Sequence, residues 1–178
     1  MRRRSATIPA IAATAALVLL GVAGVASARV AGLERGRTVD PSKAVWTTIN
    51  VCDTVGHPDG IGIRGSMPGS GDRRQRMFMR FQVQYFDTSL QQWHNTVADG
   101  DSGFVPVGSA RSKVRESGRT FTITPPPSGS YLLRGVVTFE WRQGAQVVRR
   151  ARKRTSAGHA GTVGSDPAGF TAATCEIT

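Results

Sequence analysis

Arg149, Arg150, Arg152, Lys153 and Arg154 place five cations in six consecutive positions, interrupted only by Ala151. Such groups hold anionic oxygens through charge-assisted hydrogen bonds. The chemistry implied is capture of an anionic cell-envelope polymer or a membrane surface. A competing reading is structural. Alternation on a strand sends these side chains to both faces, so the strand must lie at a sheet edge, where cations block edge-to-edge pairing. Asp53, His57 and Asp59 offer two carboxylates and an imidazole to a metal, but Gly56 and Pro58 among them also make an ordinary turn. Asp99, Asp101 and Ser102 look like the start of a calcium loop. Counting from Asp99 puts Ala110 where the twelfth-position acid belongs, so the pattern fails. Trp46, Trp93 and Trp141 would stack on sugar rings only if coplanar and exposed. Trp141 falls on the apolar side of its segment and belongs to the core.

Gly100-Asp101-Ser102-Gly103 resembles the nucleophile loop of chymotrypsin-like proteases, with His57 upstream in that family's order. The resemblance implies Ser102 as nucleophile and His57 as base. Three departures oppose it. His57 lies in Val55-Gly56-His57-Pro58, Phe104 replaces a small residue, and too few residues separate His57 from Ser102 to hold the intervening strands. A Gly/Asp/Ser turn explains the same letters. No catalytic residue, metal ligand or cofactor site is assigned. His94 and His159 have no chemistry near them and are read as surface residues.

The elements that must position these residues are strands. Met77, Met79, Phe81, Val83 and Tyr85 alternate with Phe78, Arg80, Gln82, Gln84 and Phe86. Leu133, Val137, Phe139 and Trp141 share a side opposite Arg134, Thr138, Glu140 and Arg142. Period two is the mark of a half-buried strand. Trp46–Cys52, Ile61–Met67, Phe121–Thr124 and Ala145–Thr155 read likewise, with weaker candidates at Gln91–Val97, Gly103–Gly108 and Phe170–Ile177. Gln143-Gly144 forms a tight turn. Ser109–Ser117 has room for one helical turn, and no segment carries a helical stripe. About eight or nine short strands predict an all-β, antiparallel sandwich.

The chain has 178 residues and a formal net charge of +11. That length suits one domain with a removable segment. Arg2-Arg3-Arg4, the apolar run Ile8–Val25 and Ala26-Ser27-Ala28 form a secretory signal pattern. Residues 1–28 are therefore expected to be a signal peptide, residues 29–44 a flexible leader and residues 45–178 the sandwich. The rival is an uncleaved anchor, since the apolar run is just long enough to span a bilayer. Removing residues 1–28 removes three arginines and no acid, taking the charge from +11 to +8. Secretion or an extracellular, envelope-associated place follows. Nucleic acid is excluded as a partner on that ground, and a monomer is expected. Cys52 and Cys175 are the only cysteines, and in an exported chain they are expected to form a disulfide.

Ser128-Gly129-Ser130-Tyr131, ahead of a long alternating strand, resembles the tyrosine corner of immunoglobulin-like sandwiches. Leu133 stands where that family carries a cysteine, so its inter-sheet disulfide is absent. Trp46-Thr47-Thr48-Ile49-Asn50-Val51-Cys52-Asp53, Met67-Pro68-Gly69, Leu133-Arg134-Gly135-Val136-Val137 and Ala172-Ala173-Thr174-Cys175-Glu176-Ile177 resemble a group of uncharacterised secreted actinobacterial proteins. That resemblance implies an immunoglobulin-like sandwich and carries no activity or site. The resulting expectation is a secreted, non-enzymatic binding or envelope-associated module. The alternative is a secreted hydrolase with an unrecognised site.

Overall fold

The computed structural model describes residues 40–96 and 99–178. The expected signal peptide and leader residues 29–39 lie outside the described residues. A 3-10 turn at Pro41–Lys43, capped by the Asp40 carboxylate on the Ser42 N–H, leads into nine strands. These are β1 (Trp46–Thr54), β2 (His57–Pro68), β3 (Gln75–Asp87), β4 (Gln92–Asn95), β5 (Asp101–Ser109), β6 (Val114–Thr122), β7 (Tyr131–Gln143), β8 (Gln146–Arg154) and β9 (Cys175–Ile177). No helix among the described residues is long and apolar enough to cross a membrane.

The strands form two antiparallel sheets. One has the order β1-β2-β6. The other has the order β4-β3-β7-β8, with β5 also on β3 and β9 also on β7. Pairing of the first, second and sixth strands against a sheet centred on the third and seventh is consistent with the expected immunoglobulin-like sandwich. Tyr131 opens β7 as read. Its ring lies 6.3 Å from that of Tyr85, and its phenol makes no hydrogen bond among the described residues.

Alternation builds the core. Ile49, Ile61, Ile63 and Met67 of the first sheet face Met77, Met79, Phe81, Val83, Leu133, Val137, Phe139 and Trp141 of the second, all wholly buried. Each such side chain contributes roughly 1.5–3 kcal/mol on burial. Trp141 also donates Nε1–H to the Pro68 carbonyl at 3.0 Å, so its one polar atom is satisfied. Gly135 has a packing reason: a Cβ there would lie 2.8 Å from Ile63 Cδ1 across the sandwich. The β7–β8 hairpin turns through Gly144, whose φ of +59° falls in the left-handed region that favours glycine.

Two expectations fail locally. Ser109–Ser117 holds no helical turn, because Val114 already pairs with Pro68. The closing segment is strand only at Cys175–Ile177. Upstream, Ala172 makes an isolated bridge to Ile49. Cys52 and Cys175 are disulfide-bonded with Cα atoms 5.5 Å apart, joining β1 to β9.

Candidate functional site

Register decides what the basic strand presents. Arg150, Arg152 and Arg154 stand opposite Glu140, Thr138 and Val136 of β7. Arg149 and Lys153 stand opposite Trp141 and Val137, on the other side of the sheet. The cluster is therefore divided, and β8 is an edge strand, as two-sided charge requires. Arg149 is engaged locally, with its Nε 3.2 Å from Asp40 Oδ1.

The outward side of the larger sheet gathers further arginines from β3 and β7. Arg80 stands opposite Thr138, and Arg134 opposite Gln84, in the β3–β7 pairing. Arg80 donates Nε–H to Asp101 Oδ1 at 2.8 Å, and its Nη2 also bonds Asp101 Oδ2. That hydrogen bond raises the Arg80 pKa and, with the Gly103 N–H and Gln82, holds the Asp101 carboxyl below its ordinary range. The Arg142 guanidinium lies 4.3 Å from the Phe78 ring centroid and 4.5 Å from that of Phe104. Both Arg142 and Arg150 bond Glu140, at 2.6 Å and 2.7 Å through their Nε atoms.

Arg134 differs from these. It sits 4.1 Å over the Trp93 ring and donates Nε–H to Gln84 Oε1 at 2.9 Å. Burial lowers its pKa, and the positive charges of Arg154 and Arg152 lower it further. Among the described residues no carboxylate lies within ion-pair distance of Arg134, Arg152 or Arg154. Three mutually repelling cations on one side of one sheet are an uncompensated field that an anion relieves.

The other sequence candidates are placed elsewhere. Ser102 Oγ accepts the Phe81 N–H at 2.9 Å and donates to the Gly103 carbonyl at 2.7 Å, so it serves the β3–β5 junction. His57 belongs to the opposite sheet. Its Nδ1 lies 3.1 Å from Asp166 Oδ2, the oxygen that also accepts the Thr54 hydroxyl. The structure thus gives Ser102 and His57 separate partners. Asp53 Oδ1 accepts the Asp59 N–H at 2.9 Å, an ordinary turn contact. No group of three metal-ligating side chains comes together among the described residues.

The tryptophans form no shared platform. Trp141 is buried, Trp93 is covered by Arg134, and Trp46 stacks on His159 with centroids 4.4 Å apart. His159 and His94 are both half-buried, not surface residues, because each packs on an aromatic ring: Trp46 for His159, Tyr85 for His94. Glu140, Arg80, Arg134 and Arg142 were missed as site residues. The alternation in β3 and β7 was the signal that set them on one side of their strands, away from the core. No protein-family model matches the chain, and no curated protein is significantly similar to it.

Proposed function

We propose that the chain is a secreted, non-enzymatic binding module of the cell envelope that holds an anionic envelope polymer against the outward side of the β3–β7–β8 sheet. The observation that carries this reading is the trio of half-buried Arg134 on the interior strand β7 and exposed Arg152 and Arg154 on the edge strand β8, which have no carboxylate within ion-pair distance among the described residues. Secretion is supported by the signal-type N-terminus of the sequence and by the Cys52–Cys175 disulfide, which is at home in an oxidising compartment. An immunoglobulin-like sandwich offers rigid strands for such a surface, and the resemblance to secreted actinobacterial proteins points to the same compartment. The protein works as a monomer. A polymer is favoured over a membrane because the arginines stand in rows along and across a twisted sheet. On β7 and β8 the exposed large apolar residues are Leu132 and the adjacent Val147 and Val148, too few to insert into lipid.

Co-sedimentation of the purified protein with isolated cell wall at rising salt tests the reading. Binding at low salt that falls steeply as salt screens the charges is expected, since screening acts over about 8 Å at physiological ionic strength. Failure to pellet with wall at low salt overturns it. Preferential recovery on anionic vesicles overturns the choice of polymer.

A further inference from the structure

The outward side of the larger sheet carries an indentation. A cleft of about 260 Å³ is lined by Arg80, Phe104, Thr138, Arg150 and Arg152. Its origin is a single cross-strand row. Phe104 of β5 pairs with Arg80 of β3, Arg80 with Thr138 of β7, and Thr138 with Arg152 of β8. Neighbouring strands lie about 4.8 Å apart, so a short threonine is flanked on both sides by long arginines. The result is a notch floored by Thr138 and walled by guanidinium groups.

The walls are pre-set. Arg80 uses Nε and Nη2 on Asp101, and Arg150 uses Nε and Nη2 on Glu140. Each keeps Nη1 without a carboxylate, and both side chains are already held in place. Ordering entropy at capture is correspondingly small. Arg152 has no carboxylate within ion-pair distance among the described residues, and the Thr138 hydroxyl makes no hydrogen bond among them. Glu140 is shared by Arg142 and Arg150, so around the notch positive charge exceeds negative. The geometry points to a binding site for one phosphate group, seated over Thr138 between Arg80 and Arg152, with Arg150 and the Phe104 ring closing the sides. This rests on the anionic-polymer reading and names the chemistry of its ligand. Phosphate suits the notch better than a lone carboxylate because it presents acceptor oxygens in several directions to guanidinium groups on opposite walls.

The test follows the arginine Nε–H resonances of the ¹⁵N-labelled protein at constant ionic strength. Inorganic phosphate and dimethyl phosphate are the probes. Saturable shifts at Arg80 and Arg152 with either probe support the site. A response to dimethyl phosphate marks a phosphodiester chain as the source, and a response to inorganic phosphate alone marks free phosphate or a terminal ester. Thr138→Leu fills the notch and is expected to weaken binding about tenfold or more, the worth of one charge-assisted hydrogen bond. Arg152→Gln, on the exposed edge, tests the same loss if Thr138→Leu perturbs the sheet. Arg74→Ser, an exposed arginine paired to Asp72 in the loop before β3 and outside the notch, should leave affinity within about twofold, less than half of that tenfold step in free energy. Uniform, non-saturating shifts at all exposed arginines, or parental affinity in Thr138→Leu and Arg152→Gln, overturn the proposal. Wall binding that survives Thr138→Leu unchanged overturns the notch and leaves the envelope reading standing. Phosphate saturation without any wall binding does the reverse.

Discussion

Glu140 is wholly buried on the outward side of β7, directly opposite Arg150, whose Nε–H it accepts at 2.7 Å. A carboxylate reaches that burial only because two arginines cover it. Arg142 closes the other oxygen and is itself sandwiched with Phe78 and Phe104. The clamp ties β7 to the edge strand at the bulge between Trp141 and Arg142.

The clamp predicts an asymmetry. Glu140→Gln keeps the shape and leaves two partly exposed arginines, so it should cost about 1–3 kcal/mol. Removing both arginines deletes two charge-assisted hydrogen bonds to Glu140 and should cost more, about 3–6 kcal/mol. Urea unfolding of Glu140→Gln beside Arg142→Ala/Arg150→Ala checks the order. Equal losses would show that the arginines act only by packing.

The disulfide carries a second expectation. Cys52 and Cys175 are separated by 123 positions, and closing so long a loop restricts the unfolded chain. In the chain-entropy model this stabilises by roughly 5 kcal/mol as an upper bound. Cys52→Ser/Cys175→Ser should lose much of that in denaturant unfolding, with the fold retained. Alkylation of two thiols in unreduced native protein would contradict the bridge.

Asp166 supplies a pH dependence. The Thr54 hydroxyl, then His57, hold its carboxyl below the ordinary value of 3.8. A carboxylate with a depressed folded pKa stabilises fully above its unfolded value. That contribution disappears as pH falls through the lower folded value. Acid loss at this site therefore belongs below about pH 4. Thr54→Val should return the Asp166 titration, followed by carboxyl NMR, toward the ordinary range. An unmoved titration would assign the depression to another group.

The strands were legible where burial is one-sided. β3 and β7 alternate because one face meets the core, and their alternation alone sets Arg80, Arg134, Arg142 and Glu140 on the other face. The first half of β6 was not legible. Val114, Arg115 and Glu116 are exposed edge residues, with no apolar side to mark them. The basic strand could be read as two-sided, but its partners could not. Glu140 is local in sequence, whereas the Arg80–Thr138–Arg152 row depends on which strands pair and in what register. Asp166 went unnoticed beside His57 because 109 residues separate them.

The same register sorts the cations of β8 into those that hold the fold and those that do not. Arg150 belongs to the Glu140 clamp, so Arg150→Ser should lower stability even though the residue is exposed. Arg152 and Arg154 have no carboxylate within ion-pair distance among the described residues, and Lys153 lies exposed on the other side of the strand. Arg152→Ser/Arg154→Ser should therefore unfold at the parental urea midpoint. It should also lose wall binding, because two of the three uncompensated charges are gone. Edge protection gives a different outcome. Polar serines on an edge strand still leave its backbone N–H and C=O groups open to pairing, and the lost repulsion would appear as concentration-dependent association. Light scattering and wall co-sedimentation on one preparation separate the two. A monomeric variant that no longer pellets with wall assigns the arginines to binding. An associating variant that still pellets assigns them to guarding the edge.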